Sequence, residues 1–385
     1  MSKSSIAAKY LQKTKNKYAF LLEDDKYPIV DWISTGNLAL NLLISADINK
    51  GIPSGRVVQF AGPPSVGKTY IAIEIILNAQ TLGYTVFYYD TEGGAGDTKS
   101  LVKRGIDPSA FVHIPVDKVS DIKTDLVNFL ESVSKSDKAL VVIDSVGNLV
   151  SSKEFDDTRE GKEVTDMSRA KEIKSLFRTI VMPAMKASVP VIAINHTYST
   201  LDLFSREVVA GGKGVEYNSS IIVTMTKSKE EADKEIIGSG ARCTSFKNRY
   251  AREKMTVRVV INYAHGLGKY SGMYDLAEHL GYIITPSKGW RAYKNFAGAE
   301  PFVSYTTEDE KNKLPKPGNI GWILGKRRSD FNSSNPAIWE EMLSAGLEQD
   351  LAKLFSYQPA TQGIFNDSDL DSNEVKSEES NDSES

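Results

Sequence analysis

Residues Gly62-Pro63-Pro64-Ser65-Val66-Gly67-Lys68-Thr69 satisfy the pattern G-x-x-x-x-G-K-[ST] at every fixed position. The apolar run Val57–Phe60 precedes them, and Tyr70–Leu77 follows with helical character. A strand, a glycine-bearing loop and a helix in that order leave the chain little freedom, because the loop must emerge at the carboxyl end of a strand. There its N–H groups and the helix N-terminus form a cradle for an anion. Lys68 can reach β- and γ-phosphates, and the Thr69 hydroxyl is a ligand for Mg²⁺. Gly62 to Thr69, with Tyr70 beside them, are therefore the candidate nucleotide-binding residues. A chance glycine loop is the alternative, and flanks this regular argue against it.

A length of 385 residues allows one large core with a smaller satellite. No apolar run is long enough to span a bilayer, and the first residues lead into no signal-peptide core. The single cysteine, Cys243, makes no intrachain disulfide and no metal framework, which suits a reducing cytosol. The net charge of −3 hides an asymmetry. Asn366–Ser385 holds eight acids against Lys376 alone, a local charge of −7 that leaves the remainder at +4. That acidic tail, rich in Ser and Asn, reads as disordered. It serves either solubility or competition with nucleic acid for the basic body, and composition does not separate the two.

Residues 1–32 read as a leader, with Ile6, Ala7, Tyr10 and Leu11 at helical spacing among lysines. So short a helix must dock on its own body or on another subunit. From 33 to 290 the apolar runs Val57–Phe60, Thr85–Tyr89, Ala139–Ile143, Val189–Ile194, Ile221–Met225 and Val257–Ile261 predict strands. Helical patterns at Tyr70–Gln80, Ile122–Ser134 and Met167–Lys186 separate the first four. The expected fold is α/β, a mostly parallel sheet with helices on both faces, the last two strands being antiparallel additions. Residues 291–365 predict a small C-terminal lobe with a helical run over Pro336–Leu354, and 366–385 the tail.

In such folds ligands sit at the carboxyl ends of the strands. Leu140-Val141-Val142-Ile143-Asp144 is a buried strand ending in an acid, suited to orienting a Mg²⁺-bound water beside Thr69. Phe87-Tyr88-Tyr89-Asp90-Thr91-Glu92 ends a second strand with acids, and Glu92 can position or deprotonate an attacking water. An ordinary strand-end acid is the plainer role for Asp144, and a helix cap or solvated acid for Glu92.

Together these features resemble the RecA family of recombinases, and within it the UvsX-type recombinases of large tailed phages. The resemblance rests on Ile33–Leu40, the phosphate loop, Asp90-Thr91-Glu92, Val142–Leu149, Thr165–Lys171, Ala193–Tyr198, Gly211-Gly212 and Lys247-Asn248-Arg249. It is collinear over about Ile33 to Trp290 and looser outside that span. It implies a RecA-like ATPase core that uses ATP and Mg²⁺, with Glu92 as the catalytic glutamate. Lys247 and Arg249 would be cationic fingers that reach the γ-phosphate of a neighbouring subunit; a solvated basic edge is the plainer reading of that pair. His196 stands where bacterial members carry a γ-phosphate-sensing glutamine and would couple ATP to the segment after it. Without the family, a lone strand-end histidine reads as structural.

By the same resemblance two segments face DNA. Ser151–Asp166 carries Lys153, Arg159 and Lys162 among six acids, with Arg169 shortly after it. Thr197–Gly214 carries Phe204, Arg206, Gly211, Gly212 and Lys213. Glycine N–H groups, an aromatic ring and cations make sequence-tolerant contacts with single strands. The aromatic that stacks on adenine in bacterial members is replaced here by Lys99 or Ser100, with Tyr263 or Tyr270 as substitutes.

The expectation is an ATP-dependent DNA recombinase, a DNA-dependent ATPase that polymerises on single-stranded DNA and exchanges strands with a duplex. Its expected partners are single- and double-stranded DNA, further copies of itself, a single-strand-binding protein, a recombination mediator and a replicative helicase. The expected location is cytoplasmic, the host bacterial cytoplasm for a phage protein. A ring-forming helicase of the same core and an ATP-binding regulator remain as alternatives.

Overall fold

Near-continuous apolar strands need cover on both faces, and the arrangement of the chain follows from that need. The computed structural model describes residues 6–93, 98–162, 168–199, 207–209, 213–228, 238–262, 266–304 and 318–357. Sixteen strands are described: β1 (Trp32–Ile33), β2 (Ile52–Pro53), β3 (Val57–Ala61), β4 (Thr85–Asp90), β5 (Phe111–Pro115), β6 (Ala139–Asp144), β7 (Val191–Asn195), β8 (Thr197–Ser199), β9 (Glu207–Val209), β10 (Ile221–Ser228), β11 (Gly238–Asn248), β12 (Thr256–Asn262), β13 (Gly266–Leu267), β14 (Ile283–Ser287), β15 (Trp290–Lys294) and β16 (Trp322–Lys326). The central sheet has nine of them in the order β13-β12-β11-β10-β3-β7-β6-β4-β5. From β10 to β5 every neighbouring pair is parallel.

Two expectations change here. β10 pairs parallel with β3, so it is no antiparallel addition. The strand that reverses direction is β11, which pairs antiparallel with both β10 and β12. Its alternation of buried and half-exposed residues, with two glycines, leaves no apolar run to read.

The period of two sorts each buried strand between two cores. Leu140 and Val142 of β6 join the cluster under α2 (Leu38–Ser45) and α3 (Lys68–Thr81). Val141 and Ile143 join the one under α5 (Val119–Ser132) and α7 (Ser168–Ala187). The helical run after 335 breaks in two, Pro336–Met342 and Glu348–Phe355, around Gly346 at φ 109°. Trp339, Leu351 and Phe355 are fully buried in the same cluster as α2. The leader forms the expected helix, α1 (Ile6–Lys13), and none of its residues is buried.

Candidate functional site

The ends of four parallel strands bring the site together. β3 runs into Gly62, β4 into Glu92, β6 into Ser145 and β7 into His196, all at the same edge of the sheet. Asp90 and Asp144 are register partners, as are Ala61 and Asn195.

The phosphate loop turns through left-handed backbone at Ser65 (φ 59°) and Gly67 (φ 96°). A Cβ at Gly67 would lie 2.3 Å from Ile261 Cδ1, so a side chain there would have to push that methyl aside and hold a backbone that only glycine adopts without strain. Lys68 is buried, and its Nζ donates to the carbonyls of Gly62 and Pro63 at 2.8 Å each. Burial pulls the Lys68 ammonium below its ordinary value, opposed by the carboxylates of Asp144 and Glu92.

Thr69 Oγ1 donates to Asp144 Oδ2 at 2.8 Å, and the Tyr88 hydroxyl donates to the same oxygen at 2.7 Å. Burial raises the Asp144 carboxyl, and these two hydrogen bonds oppose the rise. A hydroxyl and a carboxylate side by side at the foot of the loop are hard oxygen donors. They fit a small divalent cation that takes its remaining ligands from phosphate and water.

Asp90 turns away from the loop. It accepts from the N–H groups of Glu92 and Gly93 at 2.9 Å each and meets His113 Nε2 at 2.9 Å. Burial would raise its carboxyl, yet these partners hold it below its ordinary value. It thereby fixes the backbone that carries Glu92. The Asp144–Ser145 peptide is cis. Ser145 Oγ donates to Glu92 Oε1 at 2.9 Å and lies 3.2 Å from His196 Nε2. The His196–Glu92 separation is 3.6 Å. A Cβ on Gly147 would lie 2.3 Å from His196 Cδ2, so the imidazole rests directly on this glycine.

Lys68, Thr69, Asp144, Glu92 and His196 therefore converge, as the sequence predicts. Tyr88, Ser145 and Gly147 complete the cluster without being singled out by it; Ser145 and Gly147 lie inside the Val142–Leu149 motif, and Tyr88 two residues before Asp90.

Lys247 and Arg249 are not brought to this edge. Asn248 pairs with Ile221, which pairs with Val58 near the start of β3, so the pair sits at the opposite edge of the sheet. Lys247 Nζ donates to the carbonyls of Glu216 and Tyr217 at 2.7 and 3.0 Å. These close the C-terminal end of α8 (Lys213–Asn218), an ordinary place for a lysine. Burial, and then Arg249 beside it, lower the Lys247 ammonium. Arg249 is exposed.

Of the segments expected to face DNA, the first is helical in part. Ser151 Oγ accepts from Glu154 N at 2.9 Å and starts α6 (Ser152–Arg159). Glu154 in its first turn and Arg159 in its last complement the helix dipole, which explains a helix where the charge run suggests a loop. Lys153, Arg159 and Lys162 are exposed, and Lys162 pairs with Glu160. Arg169 instead donates to the carbonyls of Gly147 and Leu149 and braces the turn beneath His196. In the second segment β8 and β9 pair antiparallel as a hairpin, and Lys213 opens α8. Phe204, Arg206, Gly211 and Gly212 lie outside the described residues, as do Tyr263 and the tail 366–385.

The adenine platform proposed at Tyr270 does not hold. Tyr270 is buried and stacks on Trp339, ring centroids 5.4 Å apart, so its face is taken. Lys99 and Ser100 stand exposed on α4 (Thr98–Lys103), and Arg104 lies over the Tyr70 ring at 4.6 Å. Cys243 is an ordinary strand residue in β11, fully buried, with its thiol pushed up to about 12 by burial. No helix among the described residues is long and apolar enough to cross a membrane.

The chain is similar in sequence to known proteins. The family model described as the RecA N-terminal domain matches residues 4–268. A recombination and repair protein of Enterobacteria phage T4 is 33% identical over 264 residues, 68% of this chain and 67% of that one. Protein RecA of Chloroherpeton thalassium is 29% identical over 76% of this chain and 80% of its own length. A solved structure, that of the RadB recombinase, aligns with a TM-score of 0.45 at 21% identity, over 62% of this chain and all of its own. With the phosphate loop, the strand-end acids and this collinear match in one chain, the protein belongs to the RecA family of recombinases.

Proposed function

We propose that this recombinase is a DNA-dependent ATPase that polymerises on single-stranded DNA, with ATP held between neighbouring subunits, and pairs and exchanges that strand with a homologous duplex. One observation supports the reading: the candidate residues lie at two opposite edges of the sheet. The phosphate loop, Thr69, Asp144, Glu92 and His196 share one edge, while Lys247 and Arg249 occupy the other. Transition-state charge on a phosphoryl group calls for cations, and a pair at the far edge serves the next subunit rather than its own.

Gly62–Thr69 would hold the phosphates, with Tyr70 beside the base, and Thr69 and Asp144 would hold Mg²⁺. Bound there, Mg²⁺ would neutralise phosphate charge and orient the oxygens. Asp90 fixes the backbone of Glu92 so that its carboxylate can take a proton from water. Tyr88 holds Asp144 in place. His196, at the root of the β8–β9 hairpin, would report the state of the site to the DNA-facing segments. Lys153, Arg159 and Lys162 on one side, and Phe204, Arg206, Gly211, Gly212 and Lys213 on the other, are the residues proposed to hold DNA. Arg169 would contribute through the turn it braces. ATP favours the DNA-bound form because the γ-phosphate makes contacts that ADP lacks. A single-strand-binding protein, a mediator and a helicase are the proposed protein partners, and the bacterial cytoplasm the proposed location. The domain division proposed is 1–32, 33–290, 291–365 and 366–385.

The test is ATP hydrolysis with and without single-stranded DNA, followed by negative-stain imaging of the same samples. DNA-stimulated turnover with long helical filaments is the expected result. Turnover with closed rings would make the protein a helicase, and ATP binding without turnover would make it a regulator.

A further inference from the structure

Ser145 is fully buried and held on three sides. Its N–H donates to Thr91 Oγ1 at 2.8 Å, and Thr91 Oγ1 donates back to the Ser145 carbonyl at 2.8 Å. Its backbone is thus tied to Thr91, just after β4, and only the hydroxyl remains to choose partners. That hydroxyl stands between Glu92 Oε1 at 2.9 Å and His196 Nε2 at 3.2 Å. A hydroxyl has one proton to give, and a carboxylate can only accept it. Ser145 therefore donates to Glu92 and accepts from His196, whose Nε2 must carry a proton. The three groups form a directed chain from imidazole to hydroxyl to carboxylate.

The ends of this chain belong to different parts of the molecule. Glu92 follows β4 at the phosphate edge. His196 lies between β7 and β8, and β8 is the first arm of the hairpin whose connection is 200–206. Gly147 seats the imidazole from below. Were a bound strand to displace the hairpin, His196 would move with it, and its contacts with the Ser145 hydroxyl at 3.2 Å and with Glu92 at 3.6 Å would change together.

We propose that Ser145 is the positioning residue through which occupation of the β8–β9 hairpin by DNA reaches Glu92. This rests on the function proposed above. Ser145 touches neither nucleotide nor DNA in this role; it sets the orientation of the carboxylate according to where His196 stands.

The experiment compares steady-state ATP hydrolysis with and without single-stranded DNA for the full-length protein and for Ser145→Ala, His196→Ala and the double variant. Each single variant is expected to lower the DNA-stimulation ratio about tenfold through kcat, with KM for ATP changed less than about twofold. The double variant is expected to match the singles, because one chain broken twice is still one break. A Ser145→Ala protein that keeps the parental ratio overturns the proposal, and so does a double variant whose loss is the product of the two. Should Ser145→Ala fail to fold, Ser145→Cys keeps the volume with a weaker donor; an intermediate ratio supports the role and a parental ratio overturns it. Absence of DNA stimulation in the unaltered protein would remove the proposed function itself, a result distinct from a stimulated parent with an unaffected Ser145 variant.

Discussion

At position 147 one added carbon decides where His196 stands. Gly147 has no positive φ that would by itself forbid alanine, so Gly147→Ala tests the contact and little else. Its Cβ would come within 2.3 Å of His196 Cδ2, a distance that forces the imidazole aside. The variant is expected to bind ATP like the parent and to lose most of its DNA-stimulated hydrolysis in a steady-state assay. Parental stimulation would show that the seat does not matter. Asp90 supports a different measurement. Burial works against its charged form, but hydrogen bonds from His113 and two backbone N–H groups prevail, so its folded value lies below the ordinary 3.8. A depressed carboxylate adds stability above the unfolded value and loses it as pH falls through the folded one. His113→Ala removes one partner and should cost about 1 kcal/mol or less near neutrality by urea unfolding. The gap to the parent should close in strong acid, where Asp90 is protonated in both proteins. A gap that stayed constant with pH would assign the loss to packing.

Among the elements, α1 buries none of its residues in its own subunit. Ile6 is 82% exposed and Tyr10 59% exposed on a helix with no buried residue. The chain after it does pack. Lys186 Nζ sits 3.3 Å over the Tyr18 ring, Lys135 sits 4.4 Å over Tyr27, and Asp31 accepts from Tyr84 at 3.0 Å. A chain starting at Thr14 should therefore unfold within about 0.5 kcal/mol of the parent, the usual effect of surface changes. It should fail to polymerise in gel filtration and light scattering if α1 docks on the neighbour. Undiminished polymers would put the interface elsewhere. The same contrast between local and distant causes governs what can be read from the sequence. β3, β4, β6, β7 and β10 are legible because burial on both faces demands unbroken apolar runs. β11 carries Gly238, Gly240 and Arg242, and β5 is a half-exposed edge, so neither shows that pattern. α6 is polar except for Phe155 and exists through its cap and end charges. Within the site, Lys68, Thr69 and Asp144 follow from a motif local to the chain. The parts played by Tyr88, Ser145 and Gly147 arise only when separate strands meet, and no spacing within one segment announces them.

For the whole molecule, the sheet separates the phosphate loop from the basic pair proposed to serve the next subunit. Gly62–Thr69 leave the carboxyl edge, and Lys247 and Arg249 close the opposite one. A protein with a damaged loop and a protein with a damaged basic pair should then rescue one another. Lys68→Ala and Arg249→Ala are each expected to lose nearly all hydrolysis alone. Mixed in equal amounts, they should regain activity at about one head-to-tail junction in four, where an intact loop faces an intact arginine. An inactive mixture would mean that each subunit completes its own site. The division also sets a rule of counting. If the basic pair serves the neighbour as proposed, a row of subunits joined loop to fingers ends with one loop that has no successor, so n subunits would carry n − 1 working sites. A lone copy would have none, a pair one, and output per copy would climb with the length of the row. Turnover thus becomes a gauge of polymer length: a strand too short to seat two copies should elicit no hydrolysis however tightly it binds.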